Sequence, residues 1–199
     1  ISSSFAGVLN SLTPFFTLIA GVLLYQRKTK ITRVAGVMIG LGGAAGLVYD
    51  PAIAFFEGNN WYGIFVVIAT MGYGIQANEV KSRLADFDGV TITALSFFFI
   101  GPVAGIYLLL SDFSFALSTP DYLLNFGYIA LLATFGSVIA IIFFNKLIQA
   151  TTPVFAASVT YIIPVFAIFW GLFDDEVLSV FDFVWIGLIL TGVYLVNKK

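Results

Sequence analysis

Long apolar runs broken by short polar segments repeat along the whole chain. A bilayer core of about 30 Å needs about 20 helical residues to cross it, and runs of that length recur. They predict seven spans, near residues 1–25, 31–49, 60–82, 90–110, 122–147, 153–173 and 179–197. The runs do not alternate apolar with polar residues as barrel strands do, so the fold class reads as all-α. The breaks carry turn chemistry: Asp50-Pro51, Gly58-Asn59-Asn60, Ser118-Thr119-Pro120-Asp121 and Thr151-Thr152-Pro153. Tyr25, Tyr49, Trp61, Tyr62 and Tyr122 sit at span ends, where amphipathic rings favour the interface.

Composition sharpens this into a polytopic membrane protein. Apolar residues make up 60% of the chain and charged ones 10%, with a mean hydropathy of +1.02. Too little polar surface remains to coat a soluble domain. Cysteine and histidine are absent, which excludes disulfides, imidazole chemistry and the commoner zinc sites. No metal or cofactor is expected. A net charge of -2 and the lack of a long basic run argue against a nucleic-acid partner. The chain opens on Ile1 in an apolar, Ser-rich stretch and reads as a fragment whose true N-terminus lies upstream.

Seven spans assign each connection to one of two sides before its charges are consulted. Arg27, Lys28, Lys30, Arg33, Lys81, Arg83, Lys146, Lys198 and Lys199 then fall on one side, which is all nine cations. Asp50, Glu57, Asp112, Asp121, Asp174, Asp175, Glu176 and Asp182 fall on the other, eight of the eleven acids. By the positive-inside rule the basic side is cytoplasmic. The C-terminus is expected inside the cell and residue 1 on the outer side of the cell (inner) membrane.

An internal echo accompanies the spans. Phe5, Ala6, Pro14, Phe16, Gly21 and Gln26 recur 150 residues later as Phe155, Ala156, Pro164, Phe166, Gly171 and Glu176. The spans that carry the two copies are five apart and therefore antiparallel, which predicts an inverted repeat. A mid-helix proline has no N–H and frees the carbonyl four residues earlier. Those carbonyls belong to Asn10 and Thr160. Broken backbone at membrane depth is tolerated where it is buried in protein or lines a watery cavity. Two kinked helices could line a path, or each proline could shape packing while Asn10 and Thr160 satisfy the freed carbonyls locally.

The residues also resemble a known family. Ser11-Leu12-Thr13-Pro14-Phe15-Phe16-Thr17 through Gly21 and Gln26, then Gly36 to Gly46, and Tyr161-Ile162-Ile163-Pro164-Val165-Phe166 through Gly171 and Glu176, then Gly187 to Tyr194, resemble the drug/metabolite transporter superfamily, in particular its EamA type. The resemblance extends across essentially the whole chain. It implies ten helices as two inverted five-helix repeats (5+5), of which this chain supplies helices four to ten. Residues 1–49 are then the last two helices of the first repeat and 60–197 the complete second repeat. Gln26 stands where the family usually has an acid.

Candidate path residues follow from the spans. Asn10, Pro14, Thr160, Tyr161 and Pro164 belong to the two proline helices. Thr70, Tyr73 and Gln76 share i, i+3, i+6 spacing on the third span, with Asn78 and Glu79 beyond. Intramembrane acids often mark ion pathways, so Glu79 is a candidate for proton coupling; its place near Lys81 and Arg83 equally suits an interfacial ion partner. Ser96, Ser137 and Asn145 could face a path or bond neighbouring backbone. Gly36-xxx-Gly40, Gly42-xxx-Gly46 and Gly101-xxx-Gly105 are expected to admit a second helix closely, and the many phenylalanines to fill lipid-facing and interhelical space.

Enzyme readings fail on their own chemistry. Tyr49-Asp50 has no GxGD partner, a rhomboid-like serine site needs a histidine, and no span carries a lysine placed for a retinal Schiff base. No GxxxxGK[ST] occurs, so ATP does not drive the chain directly. The expected function is secondary-active transport of a small organic metabolite, as exporter or exchanger, by alternating access. The resemblance suggests amino acids or related compounds. The alternative is a non-transporting structural or receptor-like membrane subunit. Expected partners are the lipid bilayer and a small-molecule substrate, with a homodimer left open.

Overall fold

The computed structural model describes residues 9–48, 62–111, 121–163 and 180–198. Every regular element among them is a helix. They are α1 (Thr13–Leu23), α2 (Ile31–Val48), α3 (Gly63–Ser82), α4 (Gly89–Leu110), α5 (Tyr122–Leu131), a π-helical stretch over Leu132–Ile139, α6 (Ala140–Ala150), α7 (Pro153–Ser158), a 3-10 turn over Val159–Ile162, and α8 (Val180–Asn197). The stretches Gly89–Leu110 and Tyr122–Ala150 are long and apolar enough to cross a membrane; shorter apolar helices cover Thr13–Leu23, Ile31–Gly46, Pro153–Ile162 and Phe183–Asn197. Each predicted span thus contains a described helix.

Contacts divide the chain into two units, one of Ile1–Ser82 with Thr151–Lys199 and one of Arg83–Ala150. In the first, α2 and α8 pack so closely that their backbones touch. A Cβ placed on Gly192 would lie 2.5 Å from Gly40 N, and one on Gly36 would lie 2.7 Å from Gly192 O. Further along, Gly43 meets Ile189 and Gly46 meets Trp185. As the numbers rise on α2 they fall on α8, so the two helices are antiparallel. The contacting glycines are 36, 40, 43 and 46, one helical face. Gly42 departs from the expected pairing, because a Cβ there meets nothing within 4 Å. It sits 100° of helical rotation away from Gly43 and faces outward.

Helices α1 and α3 form the other close pair. Gly74 lets the backbone of Thr17 approach, a Cβ at that position lying 2.7 Å from Thr17 N. Gly21 then meets Asn78, and Arg27 bonds Ser82 Oγ at 2.6 Å, so α1 and α3 run parallel. The buried face of α3 is Gly63, Thr70, Gly74, Ala77, Asn78 and Val80. Val37, Val154 and Val196 make one apolar cluster under Phe15, Leu18 and Phe155.

The second unit is α4 against α6. Asp88 caps α4 by accepting from Thr91 N–H at 2.6 Å, and Gly89 admits Ile142 O and Lys146. One helical turn on, Asn145 Nδ2 donates to Thr93 Oγ1 at 3.1 Å, and that hydroxyl donates to Gly89 O at 2.7 Å. Gln149 Nε2 closes the end on Phe87 O at 2.6 Å. These pairings rise on α4 as they fall on α6, so this pair is antiparallel. Beyond the turn the helices part. Gly101 and Gly105, expected to receive a second helix, face open space in this structure. Phe98, Phe99, Tyr107, Leu109 and Leu110 are likewise exposed, a surface that suits lipid or further protein rather than water.

Candidate functional site

The proline helices are broken rather than bent. Leu9 and Asn10 are helical, Ser11 and Leu12 form a turn, and α1 starts afresh at Thr13. Pro14 therefore sits in the first helical turn, where its missing N–H costs nothing, and not in mid-helix as the sequence suggests. The Asn10 carbonyl finds a donor close by: Thr13 Oγ1 donates to it at 2.7 Å. The next turn is tied by Thr17 Oγ1 to Thr13 O, also 2.7 Å. Hydroxyls thus supply what the broken ladder lacks, and the side chain responsible is Thr13 rather than Asn10.

The stretch from Thr152 is also irregular. Thr152 caps α7 by accepting from Phe155 N–H at 3.3 Å, with Pro153 in the first turn. The helix then tightens to 3-10 geometry over Val159–Ile162. The Thr160 carbonyl accepts the N–H of Ile163, while Thr160 Oγ1 donates to Ala157 O at 2.8 Å. Pro164 lies outside the described residues. Shifting the turn at residues 11 and 12 by 150 lands on Tyr161 and Ile162, inside the 3-10 turn. Leu18, Gly21 and Val22 near the end of α1 share a cavity with Thr152, Pro153 and Val154 at the start of α7, so the broken helices run in opposite directions.

The candidate residues divide. Helices α1, α3 and α7 pack on one another, and Pro14 and Thr70 are both buried, whereas the 3-10 turn that holds Thr160 packs against α2 and α8. Tyr161 turns away from them. Its ring is wholly buried against Gly40, with Ala44 and Ile189 as neighbours, and its hydroxyl donates to Val37 O at 3.1 Å. It serves as the packing knob of the α2/α8 pair. Thr70, Tyr73 and Gln76 do not share one environment: Thr70 is buried and donates to Val67 O at 2.7 Å, Gln76 is half-buried, and Tyr73 is exposed. Spacing of three leaves a drift of 60° per step, enough to carry the row from the buried face to the open one.

Glu79 accepts a hydrogen bond from Tyr25 OH at 2.6 Å, where α1 and α3 both end. Ser96 bonds Ile92 O, and Asn145 is committed to Thr93, so both serve local structure. The residue that spacing undervalues is Asn78. It is fully buried, and its Nδ2 donates to Thr17 O and Gly74 O, both at 2.9 Å. The sequence signal for it is the pair of small residues, Gly21 and Gly74, that open room on either side.

Helical architecture and apolar outer faces fit a polytopic membrane protein. Residues 60–198 match the EamA-like transporter family. The chain belongs to the EamA-like transporter family. It is 30% identical over 199 residues to the Escherichia coli (strain K12) protein named as an uncharacterized inner membrane transporter, YedA, covering 99% of this chain. A protein of Archaeoglobus fulgidus named as an uncharacterized transporter is 26% identical over 202 residues, covering 100% of this chain and 69% of its own length. The chain spans 62% of the length of the Escherichia coli relative.

Proposed function

We infer that the chain is the later part of an inner-membrane secondary transporter that moves a small organic metabolite by alternating access. In this reading it contributes seven spans of a ten-helix fold of two inverted five-helix repeats, with 1–49 closing the first repeat and 60–197 forming the second. The C-terminus is cytoplasmic and residue 1 faces out. The observation that carries the reading is the pair of antiparallel helices broken at equivalent residues, around Ser11-Leu12 and Val159–Ile162. Discontinuous helices at a repeat interface are where transporters place substrate, because exposed backbone dipoles meet it there.

Asn10, Pro14, Thr70, Thr160 and Pro164 are assigned to the wall of the path, with Gln76 and Tyr73 toward its open side. Tyr161 supports the wall from behind, and Glu79 is the group through which a proton would couple. Amino acids or related compounds are the substrate class, carried outward or by exchange. The test is flux. The full-length protein carrying this chain, reconstituted in liposomes, is expected to show saturable movement of one or more metabolites from a broad panel, with loss in Asn10→Phe and Thr160→Phe. Absence of any flux from verified inserted protein would replace this reading with that of a structural or receptor-like subunit.

A further inference from the structure

The connection from α1 to α2 and the first turn of α2 gather four cations, Arg27, Lys28, Lys30 and Arg33, into seven residues. Gln26 adopts a left-handed conformation (φ 50°), which lets Arg27 N–H turn back to Gly21 O at 2.9 Å. That turn folds the basic segment over a cavity of about 260 Å³. Arg27, Lys28 and Arg33 line it, with Thr29, Asn78 and Thr152. No carboxylate lines it among the described residues. The wall is distinct from the proposed path, since none of Asn10, Thr70, Tyr73, Gln76 or Thr160 belongs to it.

Three atoms of this wall are buried and without a hydrogen-bond partner: Arg27 Nε, Arg33 Nε and Asn78 Oδ1. The Asn78 amide cannot be turned to relieve this. Its Nδ2 is held by two carbonyls, Thr17 O and Gly74 O, so Oδ1 faces Gly21. Arg27 is anchored separately, through its donation to Ser82 Oγ at 2.6 Å. Buried donors and acceptors left unmade are costly, and native structures complete them with a guest or with water. The space far exceeds the roughly 30 Å³ of one bridging water.

The chemistry of the guest follows from the wall. Three cations without a counter-charge call for an oxyanion, and guanidinium forks match the several oxygens of a phosphate. We propose that this cavity binds a phosphate ester, with its phosphoryl oxygens on Arg27, Lys28 and Arg33. A phosphoglycerol lipid headgroup and a soluble glycerol phosphate share that chemistry. Basic pockets between helices at the cytoplasmic end of membrane proteins suit the first source.

Thermal stabilisation and direct binding of the full-length protein separate the sources. The protein is titrated in detergent with glycerol 3-phosphate and with inorganic phosphate, and compared in nanodiscs of phosphatidylcholine with and without phosphatidylglycerol. A shift with phosphatidylglycerol alone assigns the site to a lipid headgroup; a shift with glycerol 3-phosphate assigns it to a soluble ester. Either is expected to weaken about tenfold or more in Arg33→Gln, because a charge-assisted hydrogen bond is lost. Lys28→Gln, which alters an exposed side chain and leaves the fold's hydrogen bonds intact, is expected to weaken binding in the same direction, while Lys198→Gln leaves it unchanged. No shift with any ligand, or a shift that both Arg33→Gln and Lys28→Gln retain in full, overturns the proposal. Flux measured in parallel is independent, because the path residues are untouched.

Discussion

Asn78 reaches from α3 to the backbone of α1 and donates to Thr17 O at 2.9 Å while its other proton holds Gly74 O of its own helix. One buried amide therefore fixes both the rotation of α3 and its distance from α1. Gly74 and Gly21 make the approach feasible by leaving space on each side. The parallel direction of the two helices is the one that a seven-span count requires of spans one and three.

Removing that amide should loosen the pair. Interhelical side-chain hydrogen bonds in membrane proteins contribute about 1 kcal/mol, so Asn78→Ala is expected to lower unfolding stability by about that amount. Asn78→Asp should cost more, because a carboxylate would face two carbonyl oxygens with no donor. Thermal unfolding of the purified protein ranks the two variants; equal stability of Asn78→Asp and the parent would contradict the assignment.

Two glycines of the α2/α8 pair predict opposite outcomes. Gly192→Ala places a methyl 2.5 Å from Gly40 N, a backbone atom that cannot yield, and the helices must separate. Overpacking of this kind costs about 1–3 kcal/mol. Gly42→Ala meets nothing within 4 Å and should be neutral or stabilising by up to about 1 kcal/mol through helix propensity. Denaturation of the two variants side by side checks the contrast.

Gln26 holds a left-handed backbone without being glycine. That conformation costs an L-residue about 1–2 kcal/mol, so Gln26→Gly should be tolerated or mildly stabilising and Gln26→Val clearly destabilising. The role of Gln26 here is conformational. Protease resistance of the α1–α2 connection in Gln26→Val, compared with Gln26→Gly, reads the effect directly.

Asp88 gives the second unit a pH dependence. Hydrogen bonds from the Thr91 side chain and backbone, with the nearby Lys146 charge, hold its carboxyl below the ordinary aspartate range. A depressed folded-state value means that the cap contributes stability above the unfolded value and loses it as pH falls through the folded one. Amide exchange at the start of α4 is therefore expected to accelerate as pH falls below the ordinary aspartate range. Asp88→Asn, which keeps an acceptor but cannot titrate, should flatten that profile; an unchanged profile would show that another group sets it.

Periodicity made the helices legible, since each predicted span contains one; which helices pair, α2 with α8, α1 with α3 and α4 with α6, it did not encode. The proline echo located both breaks, but it could not say how they are satisfied. That depended on Thr13, whose hydroxyl happens to sit three residues beyond the freed carbonyl, and on a 3-10 turn that spacing does not encode. Tyr161 neighbours a proline, which suits contact with a path or packing alike; Gly40 on a distant helix gives its ring a slot. The basic segment at Arg27–Arg33 was legible only as a marker of membrane side. Its cavity arises from the left-handed turn at Gln26, which a polar residue between charges does not announce.

Alternating access makes one direct demand, that a residue on the path be reachable from each side of the membrane in turn. This chain contains no cysteine, so a single Tyr73→Cys introduces the only thiol it supplies. In the full-length protein in sealed vesicles of known orientation, rid of any cysteine outside this chain, that thiol is expected to react with a membrane-impermeant maleimide from the inside and, in vesicles of the opposite orientation, from the outside, with transported substrate slowing both. Labelling from one side only, or from neither, would contradict the account.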